Sequence, residues 1–273
     1  MAARINISII VIALSLSATF ATLTHNEHHI AQYSYDGEIG PSKWGSLDPH
    51  FAACLTGKMQ SPINIVKQEV VFNPRLEPLT RDYHPANATL INEGSHVGLH
   101  FEHDGGVLII DGKNYTLKKM HWHSPSEHQI DGIQYPIELH LVHIANDGSI
   151  SVVAILYQYG NSDPLVDQMK DHLDQLAKEV CESDEESLIP VGLMKPKHTK
   201  RKSRKYFRYI GSLTTPPCTE KVIWSILGKV RSMSKEQVAL LKAPLDWGSK
   251  NNSRPEQPLN GRRIELYDEL KQQ

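Results

Sequence analysis

The sequence predicts a mostly β fold of the α+β class: one domain built on a large, largely antiparallel central sheet with a few peripheral helices. Three observations carry this. Tight-turn signals at Asp111-Gly112 and Asn146-Asp147-Gly148 each join two apolar runs, which reads as two hairpins. Short apolar or alternating runs dominate the middle of the chain, whereas helix-start chemistry occurs at only two places. No internal repeat or low-complexity linker divides the 273 residues, and 40% hydrophobic content is enough for a substantial core.

The first segment reads as an address. Arg4 is a short basic region, Ile7 to Phe20 is an apolar run, and Thr19-Phe20-Ala21 suits cleavage, so residues 1–21 are predicted to be a secretory signal peptide. The run of about 14 residues falls short of the roughly 20 that cross a bilayer, so no membrane attachment is expected after its removal. Residues 22–32 are expected to be a polar, disordered lead, and the domain is expected to occupy 33–273. A secretory route ends in the extracellular space or apoplast, with a plastid reached through that route as the alternative. An oxidising compartment makes Cys54, Cys181 and Cys218 one disulfide and one leftover thiol, with three pairings open. Asn87, Asn114 and Asn251 each begin an N-glycosylation triplet.

Tyr33 to Gly57, rich in Gly, Pro and Trp, is expected to be an irregular arm laid over the core. Ser61–Val66 and Ala88–Ile91 are short strand candidates, and Val97, Leu99 and Phe101 alternate as in a half-buried strand. The hairpins pair Val107–Ile110 with Tyr115–His123 and Pro136–Ile144 with Ile150–Gln158. Asp163 as N-cap and Pro164 at the first position open a helix over Leu165–Val180, with Leu165, Met169, Leu173 and Leu176 on one face. Val222–Leu227 is another strand, and Ser234 with Gln237 forms a capping box for a helix to about Leu241.

A net charge of −2 offers no whole-molecule case for nucleic acid. Five acids in Glu179–Glu186 and seven Lys or Arg in Lys195–Lys205 read as a basic solvated loop facing an acidic neighbour, with too few aromatics interleaved for base stacking.

Chemistry concentrates between Tyr115 and Ile144. In a strand, His121 and His123 leave the same face, with Trp122 between them on the other. Glu138, His140 and Val142 share a face by the same alternation, so pairing of the two runs would bring a third imidazole alongside. Three neutral imidazoles on rigid strands leave a fourth tetrahedral position open, the layout of a catalytic zinc site. His121-x-His123-x3-Glu127, with Gly132 nearby, also opens a cupin metal motif, in which a jelly roll holds Fe, Mn or Zn with Glu127 as a ligand. The second cupin motif is missing.

The segment Gly211-Ser-Leu-Thr-Thr-Pro-Pro-Cys218, following Tyr209, decides between them. Around it stand Tyr35, Trp44, Gln60-Ser-Pro62, Asn92-x-Gly94, H-W-H-S-P-S-E-H at 121–128, E-L-H-L-V-H at 138–143, Trp224 and Asn252-x-Arg254-Pro255. In that order, over nearly the whole mature chain, the sequence resembles an α-class carbonic anhydrase, most closely the plant secretory type. The resemblance implies that fold, one Zn²⁺ on His121, His123 and His140, and reversible hydration of CO2 to bicarbonate and a proton by zinc-bound hydroxide. This enzyme family is the type example of zinc lowering the pKa of bound water to near neutrality. Thr214 and Glu127 would orient the hydroxide, Glu127 not being a ligand. Val142, Val152, Leu213 and Trp224, with Thr214 and Thr215, would hold the substrate. Glu138 would accept from His140, backbone near Asn252 would serve His123, and Cys54 would pair with Cys218. A non-catalytic storage or binding protein on the same fold is the alternative.

Two departures from the family stand out. Lys119 replaces a glutamine that accepts a hydrogen bond from the first zinc histidine, and an ammonium has no acceptor. Its head is expected at the cleft mouth, with His121 left to water and zinc held less tightly. The family's proton-shuttling histidine directly follows the glycine of Asn-x-Gly; here Ser95 stands there and His96 comes next. In a strand that shift turns His96, the candidate shuttle, to the other face unless the loop bends, so His100 is the alternative shuttle and buffer dependence is expected.

Overall fold

The computed structural model describes residues 32–102, 105–180, 187–196 and 203–272. The predicted signal peptide, all but the last residue of the polar lead, Cys181 and much of both charge runs lie outside them. All described residues fall in one unit by their contacts.

Its strands, in chain order, are β1 (Asn64–Ile65), β2 (Val71–Phe72), β3 (Thr80–Tyr83), β4 (Ala86–Asn92), β5 (Val97–Phe101) and β6 (Gly106–Ile110). Then follow β7 (Lys113–His123), β8 (Gln129–Ile130), β9 (Ile133–Gln134), β10 (Ile137–Ile144) and β11 (Ile150–Tyr159). The last are β12 (Leu188–Met194), β13 (Lys205–Ser212), β14 (Glu220–Leu227), β15 (Arg231–Met233) and β16 (Glu265–Asp268). Thirteen of them make one mixed sheet whose central path runs β12-β4-β5-β7-β10-β11-β14-β13-β16-β2. Most pairs are antiparallel; β11 pairs in parallel with both β14 and β15, and β16 with β2.

Both predicted hairpins form. Asp111 and Gly112 take φ of 50° and 75°, the two positive values that a tight β6–β7 turn demands. Between β10 and β11, Gly148 at φ 80° lets its amide donate to Ala145 O over 2.9 Å. β10 is buried on both faces, which marks it as a central strand. One face, with Leu139, Leu141, Met120, Trp122, Val153 and Ile155, packs with the helices into the larger core. The opposite face carries the histidines and a second core that includes Val142, Val152, Trp224 and Phe207.

The predicted helix over Leu165–Val180 is divided into α3 (Pro164–Asp167) and α4 (Lys170–Val180). Asp163 caps it as expected, accepting from Leu165 N at 2.8 Å and Val166 N at 3.4 Å. Tertiary bonds impose the break. Gln237 Nε2 donates to Asp163 O (2.9 Å) and Asp167 Oδ1 (2.6 Å), while the Gln168 amide is tied to the backbone of Lys195. Leu165, Met169, Leu173 and Leu176 are nevertheless all buried. The capping box of Ser234 and Gln237 opens the helix Lys235–Lys242. The irregular arm contains short helical turns, and Trp44 anchors it, fully buried, with its indole N–H donating to Ser34 O at 2.9 Å.

One buried histidine belongs to the larger core's side. The Tyr83 hydroxyl lies 2.6 Å from His143 Nε2, and Nδ1 faces Ser151 O at 3.2 Å, so Nδ1 carries the proton and Nε2 accepts from Tyr83. Burial pushes His143 down to about 3. Between that value and the ordinary 6.5, the unfolded chain binds a proton that the folded one refuses, so stability falls as pH drops through this window. Acidification to pH 4.5 should cost about 2–3 kcal/mol through this group. Urea unfolding of His143→Asn against wild type at pH 7 and 4.5 tests this. The variant should lose less stability on acidification, and parallel losses would exclude the assignment.

Candidate metal centre

Register builds the site. His121 pairs directly with His140 across β7 and β10, and His123 with Glu138. The three imidazoles therefore leave adjacent strands on one face, with candidate ligand nitrogens all within 4.8 Å of one another. His140 Nδ1 lies 3.3 Å from His121 Nε2. Burial holds all three rings below the ordinary imidazole range, His123 at about 3, which keeps them neutral and able to donate lone pairs.

The other ring atoms are spoken for in two of the three. His123 Nδ1 donates to Asn252 O at 2.6 Å, and His140 Nε2 donates to Glu138 Oε1 at 2.8 Å. Asn252 is itself pinned, its amide nitrogen donating to Ser95 O (3.0 Å) and Trp122 O (3.2 Å). His123 Nε2 is buried with no hydrogen-bond partner. An orphaned nitrogen facing two other neutral imidazoles is costly unless a cation takes its lone pair, and the three-nitrogen donor set suits zinc.

Glu127 sits 3.6 Å from His123 Nε2 and 4.0 Å from His140 Nδ1, accepting from Arg254 N at 2.9 Å and interacting with Thr214. Burial pushes its carboxyl up to about 7, with the neighbouring His140 and the hydrogen bond from Thr214 working the other way. For Glu138 burial also opposes the charge, but His128 and His140 outweigh it and hold the carboxyl well below the usual range. Glu138 accepts from both these rings and from the amides of Glu127 and His128. His128, Glu138 and His140 therefore form a satisfied hydrogen-bond network, although their spacing alone would admit a metal. That network continues from His128 Nε2 to the Tyr209 hydroxyl and on to Ser61 Oγ, each step 2.7 Å. Val142, Val152 and Trp224 lie in one row across β10, β11 and β14 on the histidine face, with Leu213 packed against the same core. Thr214 is buried and Thr215 partly so. Cys54 and Cys218 are joined in a disulfide.

The two departures look different in three dimensions. The Lys119 ammonium binds Glu93 at 2.8 and 3.1 Å and lies 3.5 Å from His96 Nε2, with its side chain 28% exposed. His121 Nδ1 is buried without a partner. His96 is turned inward, its ring centroid 4.5 Å from that of His121. Strand parity does not apply to it, because Ser95 and His96 lie in a bend that precedes β5. His96 Nε2 is 2.5 Å from Glu93 Oε2, His100 Nε2 bonds the other oxygen, and the His100 side chain is 38% exposed. Burial opposes the charge on Glu93, yet hydrogen bonds from His100 and His96, with the charge of His96 and Lys119, hold it far below the carboxylate range. Gly98 makes room, since a Cβ there would stand 2.8 Å from Glu93 Oε1.

Glu93 and His128 were not anticipated. Glu93 is the unspecified middle residue of Asn92-x-Gly94, and His128 finds Glu138 only through the fold. With His121 Nδ1 orphaned, no acceptor holds a proton there and frees Nε2 for a metal, and Lys119→Gln should supply one and slow zinc loss to a chelator about tenfold. Equal loss rates would refute this.

The profile of the eukaryotic-type carbonic anhydrase family matches residues 39–268. The chain is 42% identical over 235 residues to α carbonic anhydrase 7 of Arabidopsis thaliana, covering 86% of this chain and 84% of that protein. It superposes on the crystal structure of dioscorin complexed with ascorbate with a TM-score of 0.84 at 36% identity, covering 88% of this chain and 99% of that one. On the α-carbonic anhydrase of Thermovibrio ammonificans in complex with sulfanilamide the TM-score is 0.76 at 33% identity, with 86% and 99% covered. The paired β7–β10 histidines, the mixed sheet that carries them and these matches lead to one conclusion: the chain belongs to the α-class carbonic anhydrase family.

Proposed function

We propose that this chain catalyses the reversible hydration of carbon dioxide with one zinc ion held by His121, His123 and His140. The carrying observation is the set of three buried, neutral imidazoles with Glu127 and Thr214 beside it. Zinc, when bound, supplies positive charge that acidifies water and makes it nucleophilic at neutral pH. A cation among the histidines also favours the ionised form of Glu127. Ionised Glu127 can only accept, so the single Thr214 hydrogen is committed to it and Thr214 offers lone pairs toward the histidines. A nucleophile standing there must give its own hydrogen to Thr214, which turns its attacking lone pair away and fixes its direction. Val142, Val152, Leu213 and Trp224 give the apolar substrate a dry wall, with Thr215 at its edge.

The proton released must leave. His96, buried against His121, and His100, half exposed, share Glu93, and this supports an outward path from the first to the second. Imidazole rescue of His96→Ala and of His100→Ala shows which of them carries it. The disulfide supports folding in an oxidising compartment, as expected after removal of residues 1–21 on the secretory route to the extracellular space, or to a plastid. No helix among the described residues is long and apolar enough to cross a membrane. Asn87, Asn114 and Asn251 are all exposed, as sugar attachment requires.

A non-catalytic binding role is the second reading, favoured by the unsupported His121 and by the likeness to dioscorin. Zinc analysis of the purified protein, then CO2 hydration with and without a sulfonamide, separates the two. One zinc per chain and inhibitable hydration are expected, with Thr214→Ala about a hundredfold slower. A zinc-loaded but inert protein would sink the catalytic reading.

A further inference from the structure

At one end of the large sheet stands β12, paired among the described residues with β4 alone. Its inner face joins the larger core through Ile189 and Met194. Its outer face is apolar yet open to water, with Leu188 53% and Leu193 57% exposed. A bare sheet edge invites another strand, but this edge is blunted twice. Pro190 has no N–H to offer, and a bulge between Pro190 and Gly192, the latter at φ 68°, breaks the ladder. Strand addition, from a second copy or a peptide, is therefore a poor cover for these leucines.

Register points to a better one. Leu193 stands directly opposite Asn87 across β12 and β4, and Pro190 opposite Thr89. Directly opposed residues leave the same face with Cβ atoms about 5 Å apart. Leu193 and Asn87 are both exposed, while the next pair, Met194 and Ala86, is buried on the other face. Asn87 and Thr89 are the two positions that define the glycosylation triplet Asn87-Ala88-Thr89, and the period of two puts both on this outer face. The other two triplets lack such a neighbour. Asn114 stands opposite Ile109, which is half-buried, and Asn251 lies outside the strands, with Lys242 Nζ 3.3 Å from its Oδ1.

We propose that Asn87 carries an N-linked oligosaccharide whose first N-acetylglucosamine lies over Leu193 and Pro190 and covers this end of the sheet. The inference rests on passage through the secretory route and not on catalysis. The donor is an oligosaccharide carried on a lipid diphosphate. A bond forms between Asn87 Nδ2 and C1 of the sugar, the bond from C1 to the diphosphate oxygen breaks, and the amide proton leaves with the lipid diphosphate. A pyranose ring has a face of C–H groups that suits a leucine and a rim of hydroxyls that stays in water, so the apolar patch becomes a wetted surface.

The full chain, produced in cultured mammalian cells behind an added secretion signal, tests this without depending on the fate of residues 1–21. Peptide mass spectrometry after enzymatic glycan release should find Asn87 converted to aspartate, the mark of a removed N-glycan. Release should lower the melting temperature by about 2–4 °C, the shift that one such contact gives in a chain of this length. Asn87→Gln and Thr89→Ala, which each destroy the triplet, should lower it as much. Leu193→Ser should erase the effect of release. Leu270→Ser, at a leucine 79% exposed just after β16 toward the other end of the sheet, should leave that effect intact. An unmodified Asn87 overturns the proposal. So does a melting temperature that release leaves unchanged, or one that falls equally in wild type and Leu193→Ser.

Discussion

Replacing His140 by alanine is expected to abolish stoichiometric zinc binding and reduce CO2 hydration to the level of buffer. The ring has two duties on two atoms. Nδ1 joins the cluster with His121 and His123, while Nε2 donates to Glu138, a carboxylate that is fully buried. Losing the ring removes one of three ligands and takes from Glu138 one of the two imidazoles that sustain its charge. Stability should fall by about 3–5 kcal/mol, the usual cost of leaving a buried charge short of its partner. Glu138→Gln separates the duties. It keeps all three rings but weakens the acceptor that orients His140, so zinc affinity should drop ten- to a hundredfold while hydration returns in excess zinc. Zinc content by elemental analysis, hydration by stopped flow and urea midpoints are the measurements. Full zinc occupancy in His140→Ala would remove the metal assignment.

The double substitution Cys54→Ser and Cys218→Ser should be the largest purely structural loss. The link joins residues 164 apart in sequence, and closing a loop of that size removes unfolded-chain entropy worth up to about 5 kcal/mol. Its position makes the loss local as well as global. Cys54 O accepts from Arg254 Nη2 at 3.0 Å, and Cys218 O accepts from Gln60 Nε2 at 3.2 Å. Arg254 in turn holds Glu127 through its backbone amide. The bond therefore clamps the N-terminal arm against the loop that presents Thr214. Unfolding free energy should fall by about 2–5 kcal/mol, with hydration declining in step at elevated temperature. Identical denaturation midpoints with and without reductant would show that the clamp contributes nothing.

What the residues alone determined is what depends on neighbours a few positions away. Asp111-Gly112 sets its turn by backbone conformation, and the Ser234–Gln237 box closes within one helical turn. His121 and His123 share a face because a strand has a period of two. The cluster followed once the second apolar run was placed beside the first, and the antiparallel register puts His140 opposite His121. Helix breaks, short strands and side-chain direction in bends were decided elsewhere. β2, β3, β12 and β16 lack a decisive local pattern, and partners brought from far along the chain make them strands. Leu165–Val180 has the periodicity of one helix, yet Gln237, some 70 residues on, divides it. His96 escapes the parity argument because it stands in a bend, and Lys119 meets Glu93 because the turn before β5 lies beside β7. Local chemistry selects among the conformations open to a segment, but a charge or a ring settles only where distant segments bury it, and that is a property of the folded whole.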